Sequence, residues 1–203
     1  MARTELDVAN EALYALQESP IADLDAEGKA PEALKFNLPI ARRTILQMYD
    51  WTCARKREPL VEIEEESPGV PVINYSGRDH VYENPTEALR LVDVLSPLDM
   101  TGASWIKEGG RIYTDTEDAI GVYTIDLTDP SDWDDLLATS VAYMLASRVA
   151  YTITGEKSRE ADLMQMVASY ISQAKQQSYS ESRQRRSPSE QWAPGLFEAE
   201  SRR

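Results

Sequence analysis

One cysteine, one histidine and two phenylalanines are all that 203 residues hold of those three types. With Cys53 alone, no internal disulfide can form and a cysteine zinc cluster is excluded. With His80 alone, a catalytic triad or a histidine metal site would hang on one ring and on partners that no motif announces. Long apolar runs are missing too: none approaches the roughly 18–20 residues that a membrane span needs. Met1 to Val8 carries Glu5 and Asp7 and lacks the basic-then-apolar pattern of a signal peptide, so a soluble, intracellular chain is expected. Basic charge is also scarce. Against 35 acidic groups stand 21 basic ones, a formal net charge of -14. A chain this acidic repels duplex phosphate and anionic lipid at long range, which argues against clamping DNA.

What is present is periodicity of two kinds. Residues 5–18 read as a helix, with Leu6, Ala9, Leu13 and Leu16 on one face and Ser19-Pro20 as its stop. A polar connector, 23–30, leads to a second helix over 31–54. Pro31 opens that helix where a missing N–H does no harm. Leu34, Leu38, Ala41, Ile45 and Met48 form its stripe, which runs on to Trp51 and Ala54. Pro39 interrupts the stripe and predicts a kink or two shorter helices.

From 60 to 127 the pattern shortens to alternation between turn residues, predicting an antiparallel module of four to six strands. Leu60–Glu64 alternates Val61 and Ile63 with Glu62 and Glu64, as a half-buried strand does. Ser67-Pro68-Gly69 is a turn signal. Gly109-Gly110, between Ser104–Glu108 and Arg111–Thr114, suits the positive dihedrals of a tight hairpin. Ala88–Leu95 and Ile120–Leu127 complete the sheet.

Asp129-Pro130-Ser131-Asp132 reads as the start of a third helix, over 132–153. Leu137, Val141, Leu145, Val149 and Ile153 share its face, and Gly155 stops it. A fourth helix is expected over 156–177, with Leu163, Val167, Tyr170, Ile171 and Ala174 inward. Two helices joined by so tight a turn pack antiparallel. Beyond Ser178 the composition is that of a chain unable to fold alone, yet it holds Trp192, Leu196 and Phe197 in a cluster. Residues 175–203 carry six basic and four acidic groups, so a slightly basic tail follows a strongly acidic body. The fold class expected is α+β. N- and C-terminal helices form a bundle, an antiparallel β module is inserted between them, and an extended arm (179–203) follows the 1–178 domain.

Candidate chemistry is sparse. Gly77-Arg78-Asp79-His80 reads as a charged loop. Cys53 closes a helical stripe and is expected to be a small core residue rather than a nucleophile. Glu62, Glu64, Glu65 and Glu66 could hide a glycosidase pair, but a charged strand edge that resists aggregation explains them better. Gly109-Gly110 has neither the spacing nor the helix start of a phosphate loop. Arg183, Arg185 and Arg186 suit pairing with acids on a partner. No catalytic residue, cofactor or metal site is expected, and Trp51 and Leu145 are the expected anchors of the helical core.

Three stretches together resemble the head-to-tail adaptor, or tail tubular protein A, family of short-tailed phages. Ala41-Arg42-Arg43 through Ile45-Leu46 to Trp51-Thr52-Cys53-Ala54-Arg55 is similar to an arginine-bearing helix ending in Trp-x-Phe-Ala, with Cys53 at the aromatic position. Glu87-Ala88-Leu89-Arg90-Leu91, then Val92-Asp93-Val94, is similar to the family's Asp-x-Leu-Arg-Val strand. Trp105 through Gly109-Gly110-Arg111-Ile112-Tyr113-Thr114-Asp115 resembles its hairpin. Tyr123-Thr124-Ile125 and Thr128-Asp129-Pro130-Ser131 then lead into Leu145-Ala146 and Ile153-Thr154-Gly155.

The resemblance implies a structural virion protein made in the host cytoplasm. It would assemble as a homododecamer between the portal and the tail nozzle, with tail fibres as an optional further partner. DNA would pass through the ring at ejection without specific binding. On that reading Arg183, Arg185, Arg186, Trp192, Leu196 and Phe197 form a portal-docking arm. Three rival readings remain open: a neck or head-completion protein of a long-tailed phage, a virion-associated cell-wall hydrolase, and a DNA-binding regulator, which the charge balance opposes.

Overall fold

The computed structural model describes residues 2–67, 70–71, 74, 76–156 and 158–184. Helix α1 spans Glu5–Ala15 and opens on a capping box. The Asp7 amide donates to Thr4 Oγ1 at 3.2 Å, and the Thr4 amide donates back to Asp7 Oδ2 at 2.8 Å. The helix ends three residues short of the expected Glu18. Gln17 turns into the left-handed region (φ 62°), and the Glu18 amide donates to the Leu13 carbonyl, so the chain reverses before Pro20 is reached.

Helix α2 spans Lys29–Met48 and carries Pro39 within it as one 20-residue element. Pro39 is exposed, so the Lys35 carbonyl that it leaves without a helical donor lies toward water. The expected extension to Ala54 does not occur. Tyr49 is extended, and Trp51 and Ala54 belong to a following 3-10 turn, Thr52–Ala54. Met48, placed on the buried stripe by its spacing, is 44% exposed because the helix stops there.

Strand β1 (Arg55–Pro59) is an edge strand built almost wholly of charged residues, and no hydrophobic alternation announces it. It pairs antiparallel with β8 (Ile120–Ile125), which pairs in turn with β5 (Ala88–Leu95), giving the order β1-β8-β5. Leu60–Glu64, expected as a strand with Val61 and Ile63 inward, forms only a single bridge, Glu62 to Tyr82; Ile63 is half-buried between exposed Glu62 and Glu64 as expected, but Val61 is not inward. Leu60 is buried and Val61 is 64% exposed. The segment nonetheless runs beside β4 (His80–Glu83). The Ile63 amide donates to the Val81 carbonyl, and the Glu83 amide to the Val61 carbonyl, each at 2.8 Å.

A second sheet has the order β4-β7-β6, with β6 at Trp105–Glu108 and β7 at Arg111–Thr114. Gly109 and Gly110 join those two strands with φ of 57° and 80°, the doubly positive turn that matches strand twist. A short ribbon pairs β2 (Glu65–Ser67) with β3 (Val70–Pro71); the turn expected at 67–69 falls partly on residues outside those described. Leu60, Tyr82, Leu91, Val94, Ile112, Ala119 and Tyr123 form one core shared by the two larger sheets. Gly121 is required there: a Cβ at that position would lie 2.6 Å from Leu60 Cδ2.

The third helix starts in two steps rather than one. Asp129 caps a 3-10 turn at Pro130–Asp132, and the chain then straightens before Asp134 caps α3 (Asp135–Thr154). Gly155, at φ 77°, ends α3 as its position suggests. Helix α4 runs from Ser158 to Gln184, seven residues past the expected stop. The first six residues of the segment read as extended arm are therefore helical. Glu181, Arg183 and Gln184 are good helix formers, and no proline interrupts until Pro188.

Helix α3 is the hub: α1, α2 and α4 all pack against it. Its face, with Leu137, Val141, Leu145 and Val149 fully buried, joins Leu13, Leu34, Ile45 and Trp51 in a second, larger core. By length and composition α3 could cross a membrane; burial among three helices is a sufficient reason for that composition. The protein is thus mixed α and β, with its four described helices around one core and its two larger sheets around another.

Candidate functional site

Where α2 ends and α3 begins, the surface opens into a cleft of about 410 Å³. Tyr49 and Trp51 form one wall, Asp134 and Leu136 a second, and Ala174 and Ser178 of α4 the third. The Tyr49 and Trp51 rings meet edge to face, with centroids 5.1 Å apart. The Tyr49 hydroxyl donates to the Ala174 carbonyl at 3.3 Å, tying the end of α2 to α4. Trp51 Nε1 donates to the Ile45 carbonyl at 2.9 Å, which satisfies the one polar group of a side chain that is 2% exposed.

Beside the cleft, the Cys53 thiol lies 3.5 Å from Asp134 Oδ2. Burial pushes this thiol above its ordinary pKa, and the Asp134 charge adds to the shift. It therefore stays protonated at neutral pH, the opposite of what a nucleophile requires. Asp134 Oδ1 is meanwhile occupied as the helix cap, accepting from the Leu137 amide at 2.7 Å.

A second cluster sits on the first sheet. The hydroxyl of Tyr123 lies 2.9 Å from both Glu58 Oε2 and Glu87 Oε1, and Lys56 bridges the same two carboxylates. One hydroxyl proton serves one carboxylate at a time, so Lys56 is what holds both acids in place. The lysine keeps Glu58 and Glu87 below the usual carboxylate range, with help from Tyr123. Burial and the two acids push the Tyr123 phenol far above its ordinary value, so it donates a hydrogen bond and does not act as a base.

The second sheet carries two ion pairs. His80 Nδ1 lies 2.7 Å from Glu62 Oε1, and this hydrogen bond raises the histidine pKa, aided by the charges of Glu62, Glu117 and Asp79. His80 is not in a loop: it opens β4, opposite Thr114 of β7. Arg78 bonds Asp115 and, at 2.7 Å, Ser104 Oγ, pinning the entry to β4. Each cluster joins segments distant in sequence. Among the described residues, no group of three or more His, Cys, Asp or Glu side chains is arranged to hold a metal ion.

No protein-family model matches the chain, and no curated protein matches it.

Of the residues singled out in the sequence, Trp51 and Leu145 lie in the helical core, at 2% and 0% exposure. Arg183 lies in the last turn of α4. Arg185, Arg186, Trp192, Leu196 and Phe197 fall outside the described residues. The structure adds what sequence reasoning missed: the cleft, the Tyr123 cluster and the Glu62–His80 pair. Periodicity could not find them, because each is assembled from segments 18 or more residues apart. The one available signal was a lone histidine, His80, in a chain whose acidic run begins at Glu62.

Proposed function

We propose that this chain is one subunit of a ring-forming head-to-tail adaptor of a short-tailed phage, joining the portal to the tail nozzle. The observation that carries the reading is the order of elements. Two helices, an inserted antiparallel β module with a Gly-Gly hairpin, and two further helices succeed one another as the family resemblance implies. On this reading α1 to α4 form the helical bundle that the rest of the ring is built on, and the segment after Gln184 is the extended arm. The protein has a structural rather than a catalytic role.

The charge balance supports it too. Residues 1–174 carry the acidic excess, and a like-charged wall lets DNA slide through during ejection. The arm would anchor Trp192, Leu196 and Phe197 in a portal groove, because large aromatics dominate interface energy. Arg183, Arg185 and Arg186 would supply salt-sensitive steering toward acids on the portal.

Electron micrographs of the purified chain mixed with its portal test the reading directly. A second ring stacked beneath the portal, twelvefold and with an acidic lumen, is the expected result. Portals that remain bare at micromolar chain concentrations, or a lumen lined mainly by Arg and Lys, would overturn it. Deleting 188–203 should leave a folded chain that no longer joins the portal.

A further inference from the structure

The cleft between α2, α3 and α4 combines aromatic walls with an acidic rim, and a stretch of its own chain lies within reach. Ser178 lines it, and Gln184 stands six residues further along the same helix, about 9 Å away at 1.5 Å per residue. Residues 185–203 follow, with Arg185 and Arg186 first and Trp192, Leu196 and Phe197 after them. The eight residues from Gln184 to Trp192 span up to roughly 26–29 Å when extended. The chain therefore covers the return distance with slack to spare.

Two chemistries match. Tyr49 and Leu136, both half-buried, offer the aromatic and apolar surface on which a large ring packs edge to face or offset, with the buried Trp51 and Ala174 as the floor behind them. Asp134 and Asp135 set carboxylates at the rim, and the Asp135 side chain is 99% exposed, with Arg3 at 3.6 Å. The following segment opens on two cations.

We propose that in the free chain the segment after Gln184 folds back into the cleft of the same molecule. Trp192 packs against Tyr49 and Leu136, and Arg185 and Arg186 face the Asp134–Asp135 rim. The short tether makes the local concentration high, in the millimolar range for flexible links of this kind, so a modest contact suffices for occupancy. On the adaptor reading the arm then has two receptors, and its own cleft holds it until a portal groove displaces it. The docking itself requires no ring and is tested on the isolated chain, apart from any portal experiment.

The test compares amide spectra of the 15N-labelled full chain with those of Trp192→Ala and, separately, Asp135→Lys. The first variant changes none of the described core residues, and the second changes a side chain that is almost fully exposed. Trp192→Ala is expected to shift the amides of Thr52, Leu136 and Ser178 around the cleft and to leave Lys107 on β6 unmoved. Asp135→Lys should shift the Arg185 and Arg186 amides, and the wild-type spectrum should be unchanged on tenfold dilution. Cleft amides indifferent to Trp192→Ala overturn the proposal. So does a wild-type cleft signature that fades on dilution, since the occupant would then be a neighbouring copy.

Discussion

Arg42 of α2 makes a two-pronged hydrogen bond to Asp126, 84 positions away: Nε donates to Oδ1 at 2.8 Å and Nη2 to Oδ2 at 3.1 Å. The arginine is 8% exposed, and the aspartate follows directly on β8, so this pair fastens the helical core to the first sheet. Asp126→Ala strands a buried guanidinium. Since the aspartate is 29% exposed, water recovers part of the loss, and a destabilisation on the order of 2 kcal/mol is expected. Arg43 stands 3.9 Å from the same carboxylate on a 58% exposed side chain, and Arg43→Ala should cost less than about 0.5 kcal/mol. Urea midpoints of the two variants check the contrast.

Thr124 gives a prediction of the opposite sign. It is fully buried on the central strand of the first sheet, and its hydroxyl has no hydrogen-bond partner among the described residues. Replacing an unsatisfied buried hydroxyl by a methyl of the same shape removes a desolvation penalty. Thr124→Val should be neutral or raise the melting temperature. A clear drop would reveal a bond to water that the geometry among protein atoms does not supply.

Trp51 is expected to separate into packing and polar parts. Trp51→Ala should cost about 3–5 kcal/mol, the range for truncating a buried aromatic. Trp51→Phe retains most of the packing, loses the bond to the Ile45 carbonyl and leaves that carbonyl to find another donor, for a cost of about 1–2 kcal/mol. Equal losses in the two variants would mean that the hydrogen bond, not the burial, is what Trp51 contributes.

The Glu62–His80 pair sets a pH dependence with a definite sign. Folding raises the histidine pKa above its ordinary 6.5. The stabilisation is therefore complete below that value and is lost as pH climbs through the raised folded pKa. Being the only histidine, His80 gives one ring-proton signal to follow by NMR. Its midpoint should lie above 6.5 in the native chain and fall toward 6.5 in Glu62→Gln. A native midpoint at or below 6.5 would show that the pair is not formed in solution.

Legibility in the sequence tracked how local each decision was. Ala88–Leu95 was readable to the residue, and the Gly109-Gly110 hairpin to within one, because alternation and turn chemistry both act over a few positions. Arg55–Pro59 was not readable: it is a strand because β8 offers it backbone partners, while its charged side chains carry no period. The end of helix α2 was read six residues too late because Trp51 and Ala54 are buried from a 3-10 turn at positions that happen to continue the helical spacing. The cleft escaped entirely, since Tyr49, Asp134 and Ala174 share no pattern until the helices pack.

The position of α3 also fixes the order in which this chain becomes protein-like on the ribosome. The apolar faces of α1 and α2 are covered by α3, whose first residue is Asp135, and the whole β module separates them from it in sequence. At about 5–20 residues per second, the N-terminal helices wait several seconds with their stripes uncovered while residues 49–134 are made. The β module has its own core, centred on Tyr82 and Tyr123, and can close during that interval. Maturation of the fold is thus a late event, triggered when a single helix emerges. A nascent chain exposed only as far as Asp134 would hold two sheets and two unsheltered helices, a species that chaperones should find and hold.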